Sequence, residues 1–127
     1  MRRVLIIEDD PKDTTVTRSA VLRAGLFPDS VATGEEAVCC ILKNSYAYIL
    51  MEPSVQGLDL PLIVSLANKR DRKAAIVVIT KDPSLTSERR LREMGILYYM
   101  VKPTSDLELS MVLRNRKSID LQYREEK

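Results

Sequence analysis

Histidine is absent from the 127 residues, and cysteine occurs only as the adjacent pair Cys39-Cys40. Without histidine the chain lacks the commonest general base and transition-metal ligand, and adjacent cysteines cannot close a useful loop. A Ser-His-Asp triad and a structural zinc site are therefore both excluded. Long apolar runs are also missing. The longest, Val4–Ile7 and Ala74–Ile79, fall far short of the ~20 residues that cross a bilayer. Only four apolar residues separate Met1-Arg2-Arg3 from Glu8-Asp9-Asp10, too few for a signal peptide, so the expected location is the cytoplasm. Charge of one sign does not dominate: 20 Lys+Arg face 18 Asp+Glu, a formal net charge of +2. That balance gives no support for a nucleic-acid partner, which calls for a basic stripe. There is no internal repeat and no Gly/Ser/Pro-rich linker.

A chain of this length buries roughly 65–70% of the surface its unfolded form exposes, enough for one core without staples. Five short apolar runs alternate with helix-length amphipathic segments: Arg3–Ile7, a weak one at Ser30–Thr33, Tyr46–Met51, Ala75–Thr80 and Leu97–Val101. The first, third and fourth are almost continuously hydrophobic, as suits strands of a parallel sheet covered on both faces.

Helix starts fall between the runs. Asp10-Pro11 reads as cap and first residue of a helix reaching about Ala24, which Gly25 ends. Thr33-Gly34-Glu35-Glu36 and Ser105-Asp106-Leu107-Glu108 match the capping box. Asp59 with Pro61 and Asp82 with Pro83 give two more starts, and Gly95 closes the helix beginning near Pro83. The order is (βα)5, an α/β doubly wound three-layer sandwich on a five-stranded parallel sheet.

Ligands of such sheets bind outside the carboxyl ends of the strands. Here those ends are Glu8-Asp9-Asp10, Glu52, Thr80-Lys81 and Lys102-Pro103. Acidic oxygens from two strands suit a hard cation such as Mg²⁺. A hydroxyl and an ammonium opposite them suit the oxygens of a phosphoryl group. Taken singly, each acid is more simply a helix cap, and Asp10 is read as only that.

Taken together, these residues resemble the receiver domain of two-component response regulators, flavodoxin-like in fold. The resemblance covers about residues 2–117. It rests on Val4-Leu5-Ile6-Ile7-Glu8-Asp9-Asp10-Pro11, Thr33-Gly34-Glu35-Glu36-Ala37, Ile76-Val77-Val78-Ile79-Thr80, and Gly95 through Tyr99-Met100-Val101-Lys102-Pro103. It implies the strand order 2-1-3-4-5 and a cis Lys102-Pro103 bond. It also implies an acidic pair Glu8 and Asp9, a hydroxyl switch at Thr80, an aromatic switch at Tyr99, and a phosphoryl-contacting Lys102. Mg²⁺ would be held by Glu8, Asp9, Glu52 and the Ser54 backbone.

The sequence departs from the family around that same pocket. Tyr46 to Leu60 aligns without a gap and puts Glu52 where the phosphate-accepting aspartate belongs. Gln56 replaces a usual proline and Leu60 a usual glycine, while Lys81, a long cation, stands where a small residue is usual. One added methylene displaces the carboxylate from the point where a phosphodonor and Mg²⁺ would meet it, which weakens the case for the ion. The extension also carries negative charge toward Lys102, Thr80 and Lys81, as a partial imitation of the phosphorylated state. Three readings follow. The leading one is a degenerate receiver, not an enzyme, acting as a phosphorylation-independent interaction module. The second is a working phosphoacceptor that tolerates glutamate. The third is a flavodoxin-like binding protein, which would lack a Gly-rich phosphate loop.

The resemblance implies partners, a histidine kinase or an output domain, on the face of the fourth helix, fifth strand and fifth helix, with Arg89, Arg90, Arg92 and Tyr98-Tyr99; a homodimer is compatible with it. Lys69-Arg70-Asp71-Arg72-Lys73 reads as a surface loop, and Cys39-Cys40 as the buried side of the second helix. Residues 118–127 read as a helical extension or linker, either a connector to further chain or a frayed terminus.

Overall fold

The computed structural model describes residues 2–70, 74–85 and 87–114. Strand β1 (Arg3–Ile7) leads through α1 (Pro11–Arg23) to β2 (Phe27–Val31), α2 (Gly34–Lys43), β3 (Tyr48–Met51) and α3 (Leu60–Arg70). Then follow β4 (Ala75–Thr80), a 3-10 turn (Pro83–Leu85), α4 (Glu88–Glu93), β5 (Tyr98–Val101) and α5 (Asp106–Arg114). All strand pairings are parallel, in the order β2-β1-β3-β4-β5.

Because successive strand residues face opposite sides, each central strand feeds two cores. Leu5, Ile7, Ile49, Met51, Ile76 and Val78 pack on one side with Ile41, Ile63 and Leu91 from α2, α3 and α4. Val4, Ile6, Tyr48, Leu50, Val77 and Ile79 pack on the other with Val21 from α1 and Leu109 and Leu113 from α5.

The caps read from the sequence form. Asp10 accepts from the N–H groups of Lys12 (2.8 Å) and Asp13 (3.2 Å). Thr33 and Ser105 accept from Glu36 and Glu108. Gly25, at φ 76°, follows α1 in the left-handed conformation that glycine tolerates.

Four expectations need correction. β2 runs Phe27–Val31, earlier than Ser30–Thr33; it is an edge strand, so the amide that Pro28 lacks is not needed inside the sheet. The helix expected from Pro83 breaks after a 3-10 turn and restarts as α4, because Ser87 supplies a second cap by accepting from the Arg90 N–H at 3.1 Å. Lys69 and Arg70 belong to the last turn of α3, while residues 71–73 lie outside the described residues. Cys39 is exposed, and only Cys40 packs against the core. The extension expected at 118–127 also lies outside the described residues.

Candidate functional site

The carboxyl ends of β1, β3, β4 and β5 converge because the parallel register aligns them: Ile7 pairs with Met51, Met51 with Val78, and Thr80 with Val101. The chain then leaves β1, β3 and β5 through backbone hydrogen bonds to the neighbouring strand. Glu52 N–H donates to Ile7 O at 3.0 Å, and Lys102 N–H to Thr80 O at 2.8 Å. Lys102-Pro103 is cis.

Lys102 stands at the centre. Its Nζ hydrogen-bonds to Glu8 Oε1 and lies 2.9 Å from Asp13 Oδ2 and 3.4 Å from Glu52 Oε1. The side chains of Lys102, Glu8 and Glu52 are only 8%, 6% and 1% exposed, that of Asp13 35%. Burial works to lower the Lys102 pKa, but the hydrogen bonds it donates to Glu8 and Asp13 outweigh it and hold the ammonium above the ordinary lysine range. Glu8 is pushed up by burial, against the pull of Lys102 and the Asp10 N–H.

The other oxygens of the two glutamates are occupied by main chain. Glu8 Oε2 accepts from the N–H groups of Asp9 (3.0 Å) and Asp10 (3.3 Å). Glu52 Oε1 accepts from Lys81 N–H at 3.0 Å, and its Oε2 lies 3.4 Å from Ser54 N–H. Behind them, a cavity lined by Glu8, Thr17, Glu52 and apolar neighbours measures about 10 Å³, room for at most one water.

The remaining expected residues divide. Thr80 is fully buried at the rim of the site, but its hydroxyl is engaged with the Asp82 main chain, donating to Asp82 O at 3.2 Å and accepting from Asp82 N–H at 3.1 Å. Lys81 reaches Glu52 through its backbone amide, and its side chain belongs to an exposed residue. Tyr99 is half-buried against the α2-α3-α4 core. Asp9 is exposed. Of the expected ligand set, Glu8 and Glu52 meet at Lys102 while Asp9 is exposed, and among the described residues no three His, Cys, Asp or Glu side chains are placed to hold a metal ion. Asp13 is the member that sequence reasoning missed; its one signal is its position three residues after the Asp10 cap, on the first turn above the strand ends.

No family model matches the chain. The transcriptional regulatory protein HprR of Escherichia coli is 26% identical over 107 residues, covering 84% of this chain and 48% of the relative. The chain thus spans about half the length of such curated relatives. The chemotaxis response regulator CheY4 of Vibrio cholerae superposes with a TM-score of 0.78 at 18% identity, covering 91% of this chain and 98% of the other. The receiver domain of a Pseudomonas aeruginosa sensor histidine kinase, solved with a magnesium ion in its active-site cleft, superposes at 0.75 with 25% identity, covering 92% and 98%. The fold is that of the response-regulator receiver domains among these solved structures, and the sequence likeness is to response regulators and hybrid kinases of two-component signalling.

Proposed function

We propose that this receiver works without being phosphorylated, as a protein-interaction module whose pocket is held permanently by Glu52. The observation that carries the reading is the placement of the Glu52 carboxylate. It is buried at the end of β3, bonded to Lys81 N–H at 3.0 Å and 3.4 Å from the Lys102 ammonium. The resemblance assigns phosphoryl contact to Lys102, so Glu52 supplies negative charge to that partner in the resting protein. The imitation is partial, because a carboxylate has less charge and fewer acceptor oxygens than a phosphoryl group.

The partner, a histidine kinase or an output domain, meets the α4-β5-α5 face. Exposed Val101, Leu107 and Met111 supply apolar surface there. Arg89 adds a charge whose pairing with Glu93 at 3.4 Å is too exposed to bind it firmly. The module acts in the cytoplasm and is not an enzyme. Among the described residues no helix is long and apolar enough to cross a membrane.

The test is incubation with Mg²⁺ and acetyl phosphate, read by intact mass, and with beryllofluoride, read by NMR. No adduct is expected. A stable adduct on Glu52 would overturn the reading in favour of a working phosphoacceptor.

A further inference from the structure

We infer that Lys102 is the resident cation of this site, fixed there by Asp13, and that the site therefore excludes divalent metal. This goes beyond phosphorylation independence, since a receiver that accepts no phosphoryl group could still bind Mg²⁺.

An ammonium has three N–H donors. Lys102 meets three carboxylates, one each from Glu8, Asp13 and Glu52. The oxygens left over on the two buried acids are engaged by main-chain N–H groups of Asp9, Asp10 and Ser54, and the Glu52 oxygen nearest Lys102 also takes Lys81 N–H. These amides offset the negative charge that one ammonium leaves unbalanced. Mg²⁺ needs near-octahedral oxygen coordination, whereas among the described residues the acids at this end of β1 other than exposed Asp9 are engaged: Glu8 and Asp13 by Lys102, Asp10 by the amides it caps. An ion bridging Glu8 and Glu52 would have to displace Lys102 or lie beside it, against like charge.

Asp13 is what makes the arrangement one of three carboxylates. It comes from α1, whereas Lys102 follows β5, so their 2.9 Å contact ties the first helix to the end of an edge strand. Asp13 is thus a positioning residue: it acts on the site only through Lys102.

The full chain is titrated with Mn²⁺, a paramagnetic probe, with Mg²⁺ as competitor, and amide NMR signals are followed. In the wild type, no saturable, Mg²⁺-competable broadening of Glu8, Asp9 and Glu52 is expected; finding it would overturn the proposal and leave phosphorylation independence standing. Lys102→Met should gain such binding, tighter than the wild type by about tenfold or more. A folded Lys102→Met without that gain would equally overturn it, and if this variant does not fold the wild-type titration decides. In Asp13→Asn the Lys102 ammonium signal, protected in the wild type, should shift and broaden. An unchanged signal would refute the role given to Asp13.

Discussion

Gly34→Ala is expected to damage the pocket from outside it. Gly34 opens α2 and lies against the loop that follows Glu52: its N–H donates to Gln56 O at 2.9 Å. A Cβ at this position would sit 2.0 Å from Gly57 O, 2.4 Å from Gly57 C and 2.7 Å from Leu58 Cα. All three are backbone atoms, so no side chain can swing aside. To restore ordinary contact the loop must retreat by about 1.4 Å, an overpacking cost of roughly 1–3 kcal/mol. The retreat also breaks the Gly34–Gln56 hydrogen bond, for about 1 kcal/mol more. Alanine's better helix propensity returns at most ~1 kcal/mol, and less at a first-turn position. The net loss is about 1–4 kcal/mol, read as a lower urea midpoint at unchanged slope. Gly25→Ala is the control: nothing lies within 4 Å of its Cβ, so only the left-handed backbone penalty of about 1 kcal/mol applies. Because the same loop carries Ser54, the amides of Ser54 and Lys81 should shift in Gly34→Ala and not in Gly25→Ala. A Gly34→Ala protein within about 0.5 kcal/mol of wild type, below the overpacking range, would refute the steric argument.

Glu52→Ala, removing a carboxylate that is 2% exposed and bonded to Lys81 N–H, should cost about 2–3 kcal/mol in urea unfolding, while Glu52→Gln, which keeps an acceptor oxygen, should cost less than about 1 kcal/mol. Tyr48→Phe removes the buried hydrogen bond from the Tyr48 hydroxyl to Leu113 O (2.9 Å); a loss of about 1 kcal/mol is expected, with slower proteolysis of the variant than the wild type counting against it. Asp106 is held below the usual carboxylate range by hydrogen bonds from Ser19 and Arg23. Its stabilisation is therefore full above the unfolded value of 3.8 and lost as pH falls through the lower folded value. Urea midpoints measured from neutral pH down to about pH 3 should fall less steeply in Asp106→Asn than in the wild type.

The alternation of strands and helices was legible because β1, β3 and β4 are buried on both faces and so read as unbroken apolar runs. β2 was harder. Its Phe27-Pro28-Asp29-Ser30-Val31 is an edge, and what holds it is a parallel ladder to β1 that leaves no hydrophobic signature. The convergence of Glu8, Glu52 and Lys102 could be read in advance, since a parallel sheet brings strand ends together whatever their side chains. Which atoms would meet could not. Lys81 was expected to offer its cation to Glu52, yet the closer donor is the N–H that follows a strand end by geometry alone. Thr80 was expected to face the same carboxylate, but its hydroxyl closes the turn to Asp82. Both outcomes are set by the backbone path after β4, which residue types do not encode.

The acids after β1 show how one local choice propagates into the site. In a capping box the carboxylate at the third helical position accepts from the N–H of the cap residue. Asp13 occupies that position, but the Asp10 N–H is already taken by Glu8 Oε2 at 3.3 Å. Asp10 caps α1 with its own side chain, so the helix end does not need Asp13. The Asp13 carboxylate is thereby released toward Lys102 at 2.9 Å. The identity of Glu8 matters to this outcome: its buried side chain bends back far enough to serve two main-chain amides with one oxygen while the other meets the ammonium. Four acids within six residues thus take four separate duties, and their density is no measure of metal affinity. Glu8 bridges backbone to ammonium, Asp9 stays in solvent, Asp10 caps and Asp13 anchors. The near-neutral net charge of the chain conceals a cluster in which a single lysine, helped by main-chain amides, holds acids drawn from the ends of β1 and β3 and the start of α1.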